Sequence, residues 1–316
     1  MNLLDLHCDT VSECWKNKWD LLTGQTGVSL RSLPAFEKWT QVFALFIPDE
    51  FRGEEAIRYF DTLMNYSDEL LQRHKNSLFP ILSREDLAAL PAGKCGYLKA
   101  IEGGAALAGQ LMQIRRVFDR GVRMITLTWN GENELGSGVL AQPDRGLTLF
   151  GREAVAEMES LGIVVDASHL SQKGFWDLCE TAQKPFLCSH SNSKSVCGHP
   201  RNLEDSQFRE IVRRGGLVGL NLYISFLSEK PDGGGVEDVL RHIDHFLSLD
   251  GEHTLSIGTD LDGADIHSSL NSSEKLAVLR EAMVKLGLKE QTIEDIFYGN
   301  AYRFLERALP SDKTEE

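Results

Sequence analysis

Side chains that bind metal ions or move protons stand directly after five short apolar segments of this sequence. Imidazole and carboxylate groups together suit zinc or a similar divalent ion. Taken singly, each is equally compatible with a hydrogen-bonded core histidine, a surface aspartate or a capping glutamate, so their shared position carries the hypothesis. The residues are His7 with Asp9, Glu102, His169, His190 and Asp260.

The spacing around two of these segments adds detail. His7 and Asp9 are two residues apart, so alternation along a strand points both side chains the same way and Cys8 the other way. Glu102 precedes Gly103 and Gly104, which allow a backbone or a ligand to approach closely. A carboxylate in this position is costly to bury unless a positive group compensates it.

The apolar segments themselves predict the fold. Eight of them recur, mostly without strict alternation, which is typical of parallel strands covered by helices. Amphipathic helical patterns lie between them, and this alternation favours a (β/α)8 TIM-type barrel over a doubly wound sheet, with residues 1–316 as a single catalytic domain. The predicted strands are residues 3–6, 41–47, 96–101, 122–128, 163–167, 185–188, 216–222 and 254–258.

A barrel brings the carboxyl ends of its strands together on one face, so these distant residues are expected to meet there. Two ions about 3.5 to 4 Å apart share a carboxylate and a water whose pKa falls towards 7. We expect Glu102 to bridge the ions, with His7 and Asp9 on one and the two later histidines, His169 and His190, on the other. Asp260 is expected to transfer the proton of the nucleophile.

Composition excludes several other classes of protein. The 316 residues carry 33 basic and 47 acidic side chains, a net charge of −14, without the concentrated basic run that nucleic acid binding needs. The sequence shows neither a secretory signal pattern nor a run of ~20 apolar residues, which predicts a cytoplasmic location and no membrane contact. Six scattered cysteines indicate reduced core thiols. His242 and His245, three apart on a predicted helix, indicate a solvated face rather than a metal pair.

The motifs also resemble a known family, the renal (membrane) dipeptidases, which are zinc metallopeptidases, and the chain is most similar to the soluble bacterial branch. The match runs in order from residue 2 to Asn300. The matching stretches are Asp5-Leu6-His7-Cys8-Asp9, Ala100-Ile101-Glu102-Gly103-Gly104, Asp166-Ala167-Ser168-His169-Leu170-Ser171, Ser189-His190-Ser191, Ser195-Val196-Cys197, Arg201-Asn202 and Gly258-Thr259-Asp260-Leu261-Asp262-Gly263.

The resemblance implies a (β/α)8 amidohydrolase-type barrel that holds two Zn²⁺ ions per chain and hydrolyses dipeptides, in some members with a D-residue at the C-terminal position. It implies the same ligand set, with Glu102 as the bridge and Asp260 as the proton-transfer acid. It further implies that Arg201 holds the terminal carboxylate of the substrate and that Tyr223 lies in the pocket. A guanidinium suits the first role because it forms two parallel hydrogen bonds to a carboxylate.

One position departs from the family pattern. Animal members carry a histidine after the fourth strand, where this chain has Trp129 followed by Asn130. An indole only donates a hydrogen bond and does not titrate near neutral pH. Two interpretations stay open: Trp129 donates to the oxyanion, or it walls the pocket while Asn130 or Asn133 donates.

The sequence thus predicts a zinc dipeptidase with a small dipeptide as its partner and no nucleic acid. A homodimer is compatible with the sequence, which leaves the oligomeric state open. The alternatives are another two-metal amidohydrolase, acting on N-acyl amino acids or cyclic amides, and a catalytically inactive barrel that only binds its ligand.

Overall fold

The computed structural model describes residues 1–312. Within that range nine strands run parallel to their neighbours in one sheet. The strands are β1 (Asn2–Cys8), β2 (Lys38–Phe46), β3 (Leu78–Pro80), β4 (Cys95–Glu102), β5 (Val122–Thr126), β6 (Val164–Asp166), β7 (Leu187–Cys188), β8 (Leu217–Leu220) and β9 (Leu255–Ile257).

The sheet closes into a barrel because β2 pairs with both β1 and β4. The ring therefore runs β1, β2, β4, β5, β6, β7, β8, β9 and back to β1. These eight strands match the eight predicted apolar segments, and the predicted (β/α)8 barrel is confirmed. The three-residue β3 was not predicted; it pairs with the start of β4, where Leu78 lies opposite Cys95.

Helices lie between successive strands and after the last strand, β9. They are α1 (Thr10–Asn17), α2 (Gly53–Arg73), α3 (Arg84–Ala88), α4 (Leu111–Asp119), α5 (Leu149–Leu161), α6 (Gln172–Thr181), α7 (Asp205–Arg214), α8 (Ile224–Leu227), α9 (Val236–Leu247), α10 (Leu276–Lys285), α11 (Glu290–Glu294) and α12 (Asn300–Ala308). A π-helical turn, Asp295–Gly299, joins the last two. The long α2 has Glu54 and Glu55 in its first turn and Arg73 in its last, which complements the helix dipole.

The inside of the barrel is apolar at the end where the strands begin. Leu4, Leu98 and Met124 belong to one buried cluster that also contains Phe304 and Leu305 of α12. Helix α12 therefore covers the end of the barrel where the strands begin. This leaves the other end, where the strands finish, for polar side chains.

Two smaller expectations have different outcomes. All six cysteines are free and buried, as predicted. The prediction of a solvated face was wrong for His242, which is fully buried: its Nδ1 accepts from the backbone N–H of Ser193 and its Nε2 donates to the carbonyl of Leu227. Its hydrogen bonds are long-range, so helical spacing could not reveal them.

Across the described residues, no helix combines the length and apolar character needed to cross a membrane.

Candidate metal centre

Six predicted side chains meet where the strands of the barrel end. Two sets of three ligand atoms each lie within 4.8 Å of one another, and His7 belongs to both. One set adds Glu102 and His190, and the other adds Asp9 and Asp260. His169 joins them through its Nε2 atom, 2.9 Å from Nε2 of His190. The five residues other than Asp260 are all buried.

Glu102, the last residue of β4, lies between two groups of ligands. Its Oε2 atom is 3.4 Å from Nε2 of His7. Its other oxygen, Oε1, is 3.0 Å from Nε2 of His169 and 3.7 Å from Nε2 of His190. The two oxygens of one carboxylate thus face different sets of imidazoles, which is the arrangement that a bridging ligand requires.

The side chains on either side of Glu102 define two halves. We call His7, Asp9 and Asp260, which follow β1 and β9, the carboxylate half. His7 Nε2 is 3.4 Å from Asp9 Oδ2 and 3.9 Å from Asp260 Oδ1. We call His169 and His190, which follow β6 and β7, the imidazole half.

The halves differ in their electrostatics. Burial alone would lower the pKa of His7, but the Glu102 and Asp9 carboxylates raise that pKa well above the ordinary histidine value. Burial, reinforced by the positive charges of Arg201 and His7, holds the pKa values of His169 and His190 well below it. Burial and the Asp9 carboxylate raise the pKa of Glu102 to about 7. One half therefore concentrates negative charge, and the other offers neutral imidazoles.

Hydrogen bonds fix the rings of the imidazole half. Nδ1 of His169 donates to the side-chain oxygen of Asn130 at 3.0 Å. Nδ1 of His190 contacts the Ser189 hydroxyl at 2.7 Å. In both residues Nδ1 takes part in a hydrogen bond, and Nε2 is the atom that faces Glu102. Partners of this kind set the tautomer and orientation of metal-binding histidines. Asn130, which is predicted to contact the substrate, therefore also contacts the predicted metal ligand His169.

Two fully buried aspartates support the centre, and sequence reasoning missed their function. Asp5 accepts hydrogen bonds from the amide and hydroxyl of Thr259, from Gln41 and from the amide of His7. Asp166, the last residue of β6, lies beside the imidazole half and accepts from Thr126 of β5 and from the amides of Ser168 and Ser189. A detectable signal was present, because both aspartates interrupt otherwise apolar strands two or three residues before a predicted ligand.

Local backbone geometry is unusual around the site. His169 and Asp260 have φ values of 66° and 61°, in the left-handed region that costs energy for residues other than glycine and that clusters at functional sites. The pairing of β1 with β2 shifts register between Asp5 and Cys8, and such a bulge re-aims side chains. Gly263 is needed for space, since a Cβ there would lie 2.1 Å from Asp9 Oδ2.

The donor set fits divalent metal ions. Nε2 of His7 is buried and has no hydrogen-bond partner among the described residues, although it points at three carboxylates. A buried polar atom without a partner is costly, and a cation at this point satisfies both the nitrogen and the carboxylates. The two Nε2 atoms of the imidazole half likewise converge on one oxygen of Glu102.

A cavity of about 500 Å³ opens above these residues. Trp129 and Phe46 form one wall, with ring centroids 5.0 Å apart and nearly perpendicular planes. Tyr223 and Phe226, 4.7 Å apart, form another. The predicted pocket residues Trp129, Asn130 and Tyr223 therefore line the same cavity as Asp9, Glu102, His169 and Asp260.

Arg201 lies behind the imidazole half rather than on the lining of this cavity. It is 6% exposed, its Nη2 donates to the backbone carbonyl of His190 at 3.3 Å, and its Nε has no partner among residues 1–312. Within the same range no carboxylate oxygen lies within 4.0 Å of its guanidinium nitrogens. Its positive charge nonetheless interacts electrostatically with the carboxylates of Asp260 and Glu102. Arg201 is thus a buried cation without a directly contacting anion.

Comparison with known proteins agrees with this geometry. A sequence profile of the membrane dipeptidase family, peptidase family M19, matches residues 1–315. An uncharacterized protein in the pqqA 5′ region of Klebsiella pneumoniae is 32% identical over 216 residues, which is 65% of this chain and 79% of that protein. A Schizosaccharomyces pombe protein described as an uncharacterized dipeptidase is 30% identical over 65% of this chain and about half, 51%, of its own length.

Two solved structures superpose over nearly the whole fold. A family M19 metallopeptidase, the dipeptidase AC, has a TM-score of 0.89 and 27% identity, covering 98% of this chain and 99% of its own. A metallopeptidase from Rhodobacter sphaeroides, solved with a phosphinate mimic of the dipeptide L-Ala-D-Ala, has a TM-score of 0.90, 26% identity and the same coverage. The chain therefore belongs to the membrane dipeptidase family of metallopeptidases, peptidase family M19.

Proposed function

We propose that this protein is a binuclear zinc dipeptidase that cleaves the single peptide bond of a dipeptide, including dipeptides with a D-residue at the C-terminal position. The observation that carries the proposal is the position of Glu102, whose two oxygens face the carboxylate half and the imidazole half respectively. The R. sphaeroides relative bound to an L-Ala-D-Ala mimic supports the substrate class and its stereochemistry.

The ligands divide as the halves do. His7 and Asp9 would hold one zinc ion, His169 and His190 would hold the other, and Glu102 would contact both. Nitrogen and oxygen donors in this mixture suit zinc. When bound, the two ions supply an activated water and polarise the carbonyl of the scissile bond.

Asp260 would move the proton. Its Oδ1 faces His7, while its Oδ2 accepts from Nδ2 of the buried Asn221 at 2.9 Å. Burial raises the pKa of Asp260 above the ordinary aspartate value. A carboxylate whose pKa is raised towards the working pH takes a proton from the nucleophile and returns it to the leaving amine efficiently.

Arg201 would hold the terminal carboxylate of the substrate. Its buried guanidinium has an unpaired Nε and no contacting anion among the described residues, so an incoming carboxylate would complete its hydrogen bonds. Because Arg201 is buried and does not line the cavity, this role requires that the pocket opens towards the guanidinium when the substrate binds.

The aromatic walls would enclose the two side chains of the dipeptide. The cavity of about 500 Å³ lies within the range of roughly 300–1,000 Å³ typical of small-ligand sites. We further propose that residues 1–316 act as a single catalytic domain. The cytoplasmic location and the homodimer stay predictions from the sequence.

A dipeptide panel with added zinc tests the proposal. Purified protein is expected to release two amino acids from L-L or L-D dipeptides and to leave tripeptides uncleaved, and Asp260→Asn is the matched inactive control. Hydrolysis of N-acyl amino acids or cyclic amides, but not of dipeptides, would identify a different amidohydrolase. A dipeptide that binds to the zinc-loaded protein without being cleaved would identify a binding protein instead.

A further inference from the structure

Hydrogen bonds connect the buried carboxylate of Asp166, through Ser189, to the predicted metal ligand His190. Its Oδ1 accepts from the backbone amides of Ser168 and Ser189, each at 2.9 Å. Its Oδ2 accepts from the hydroxyls of Thr126 and Ser189, each at 2.6 Å. Ser189 also contacts Nδ1 of His190 at 2.7 Å. Asp166 and Ser189 are both fully buried, so water does not compete for these bonds.

The chemistry of the groups fixes the direction of this chain. An ionised carboxylate only accepts hydrogen bonds, so the single proton of the Ser189 hydroxyl points to Asp166. The same oxygen must then accept from His190, which requires the proton of the ring to be on Nδ1. The lone pair of His190 is left on Nε2, the atom that faces Glu102 at 3.7 Å and His169 at 2.9 Å.

We infer that Asp166 is a positioning residue that acts through Ser189 to hold His190 in the Nδ1–H tautomer, with Nε2 free for a metal ion. The inference rests on the proposed function in that it takes His190 as a zinc ligand. It assigns a role to a residue that contacts neither the cavity nor any predicted ligand ring.

A comparison within the molecule separates this role from simple structural support. Asp5 is equally buried and also accepts four hydrogen bonds, but they come from backbone amides, a threonine hydroxyl and a glutamine. None of the four leads to a side-chain nitrogen of a predicted ligand. Asp166 differs in having a hydroxyl that connects it to an imidazole.

The inference makes an unusual claim about Asp166→Asn. An asparagine preserves the size of the side chain, and its oxygen continues to accept from the two amides. Its NH₂ group, however, donates to the Ser189 hydroxyl. The proton of that hydroxyl then has two acceptors, Nδ1 of His190 at 2.7 Å and the Ser168 hydroxyl at 3.3 Å, and we expect it to turn to the nearer imidazole. The ring then takes the Nε2–H tautomer, in which Nε2 has no free lone pair for a metal ion. The isosteric change is therefore expected to be worse for metal binding than loss of the hydroxyl.

Zinc affinity and stoichiometry, measured by competition with a chelator on the full chain, test this order. Wild type is expected to bind two ions. Ser189→Ala is expected to weaken one of them, and Asp166→Asn to weaken that ion further, by roughly 10–100-fold relative to wild type, which is the usual effect of losing an outer-shell partner. The double variant is expected to recover to the level of Ser189→Ala, because no hydroxyl then donates to the ring.

Thr126→Val is the matched control, since it removes a hydrogen bond to the same Oδ2 atom without touching His190. It is expected to bind both ions as wild type does.

The inference is overturned if Asp166→Asn keeps both affinities, or if the double variant is weaker than either single variant, as structural damage alone would predict. If Asp166→Asn does not fold, nitrogen NMR shifts of the His190 ring in Ser189→Ala and wild type decide the matter: an Nδ1–H tautomer in wild type supports the inference, and an Nε2–H tautomer contradicts it. A wild-type protein that binds fewer than two ions would instead contradict the proposed function itself.

Discussion

The carboxylate half and the imidazole half of the centre are built from the same kind of strand end but with opposite charge. In the first half, carboxylates surround His7 and raise its pKa, so that without metal this ring carries a proton. In the second half, burial and positive neighbours keep His169 and His190 neutral, and hydrogen bonds through Asn130 and Ser189 direct their lone pairs. If these residues hold the proposed ions, cation binding would depend on charge in one half and on tautomer in the other.

The largest effect is expected at Glu102, the residue that both halves share. Glu102→Gln keeps the shape of the side chain but removes the negative charge between the two ions. Metal ions contribute several kcal/mol to stabilising the transition state, so dipeptide turnover should fall by roughly a thousandfold or more. Zinc content and turnover measured together check this. Loss of only one ion, with the other bound normally, would mean that Glu102 belongs to one half.

The two halves should respond differently to the loss of a histidine. His7 lies in both groups of clustered ligand atoms, whereas His169 lies in neither and contacts Glu102, His190, Asn130 and Trp129. His7→Ala is expected to weaken the ion that His7 and Asp9 would hold by more than the ~10–100-fold typical of an outer-shell change. Because Nε2 of His7 also clusters with Glu102 and His190, the second ion should be weakened to a smaller extent. His169→Ala should weaken only the ion of the imidazole half. Metal content after dialysis against a weak chelator measures the difference. Equal loss of metal in both variants would show that the two halves do not respond differently to the loss of a histidine.

Arg201, next to the imidazole half, is proposed to bind the terminal carboxylate of the substrate. Arg201→Lys retains the charge but loses the paired donors of the guanidinium, and kcat/KM for dipeptides should fall about 30-fold, which corresponds to about 2 kcal/mol. A dipeptide amide, which lacks the terminal carboxylate, serves as the control substrate and should be affected far less. An equal loss on both substrates would argue against carboxylate binding by Arg201.

Zinc uptake at pH 7 should release protons from His7 and from Glu102, whose pKa is raised to about 7, but not from the imidazole half. His7 has a raised pKa, so it is protonated at neutral pH without metal and must lose that proton to bind an ion. Affinity there should therefore increase as pH rises towards this pKa. The lowered pKa values of His169 and His190 mean that these rings are already neutral. Calorimetric titrations at pH 7 in buffers of different ionisation enthalpy count the protons. The release should be lower in His7→Asn, and a release that depends on His169 would contradict the comparison.

The smallest effect is expected at Trp129, next to the imidazole half. Its ring packs against Phe46, and no hydrogen bond from its indole is found within residues 1–312. Trp129→Phe keeps this aromatic wall, so turnover should change by much less than the roughly hundredfold loss that follows removal of an oxyanion donor. Steady-state kinetics on one dipeptide are sufficient. A loss of that larger size would instead assign the indole N–H to the oxyanion.

The sequence alone predicted the residues of the centre because strand ends converge in a barrel whatever the details of packing. Local pattern could not predict which side chains would support them. Asp5 and Asp166 each receive hydrogen bonds from neighbouring strands, and His242 is buried by contacts with residues 193 and 227. Helix α1 has only eight residues, and β3 has three, so neither shows a clear period. The register shift that re-aims β1 near His7 also depends on pairing with β2.

Anomalous diffraction at the zinc edge from crystals of the zinc-loaded protein tests the central claim most directly. Two peaks are expected, one on each side of the Glu102 carboxylate: one next to His7 and Asp9, the other next to His169 and His190. A single peak, or peaks away from Glu102, would contradict a centre in which this carboxylate joins two halves.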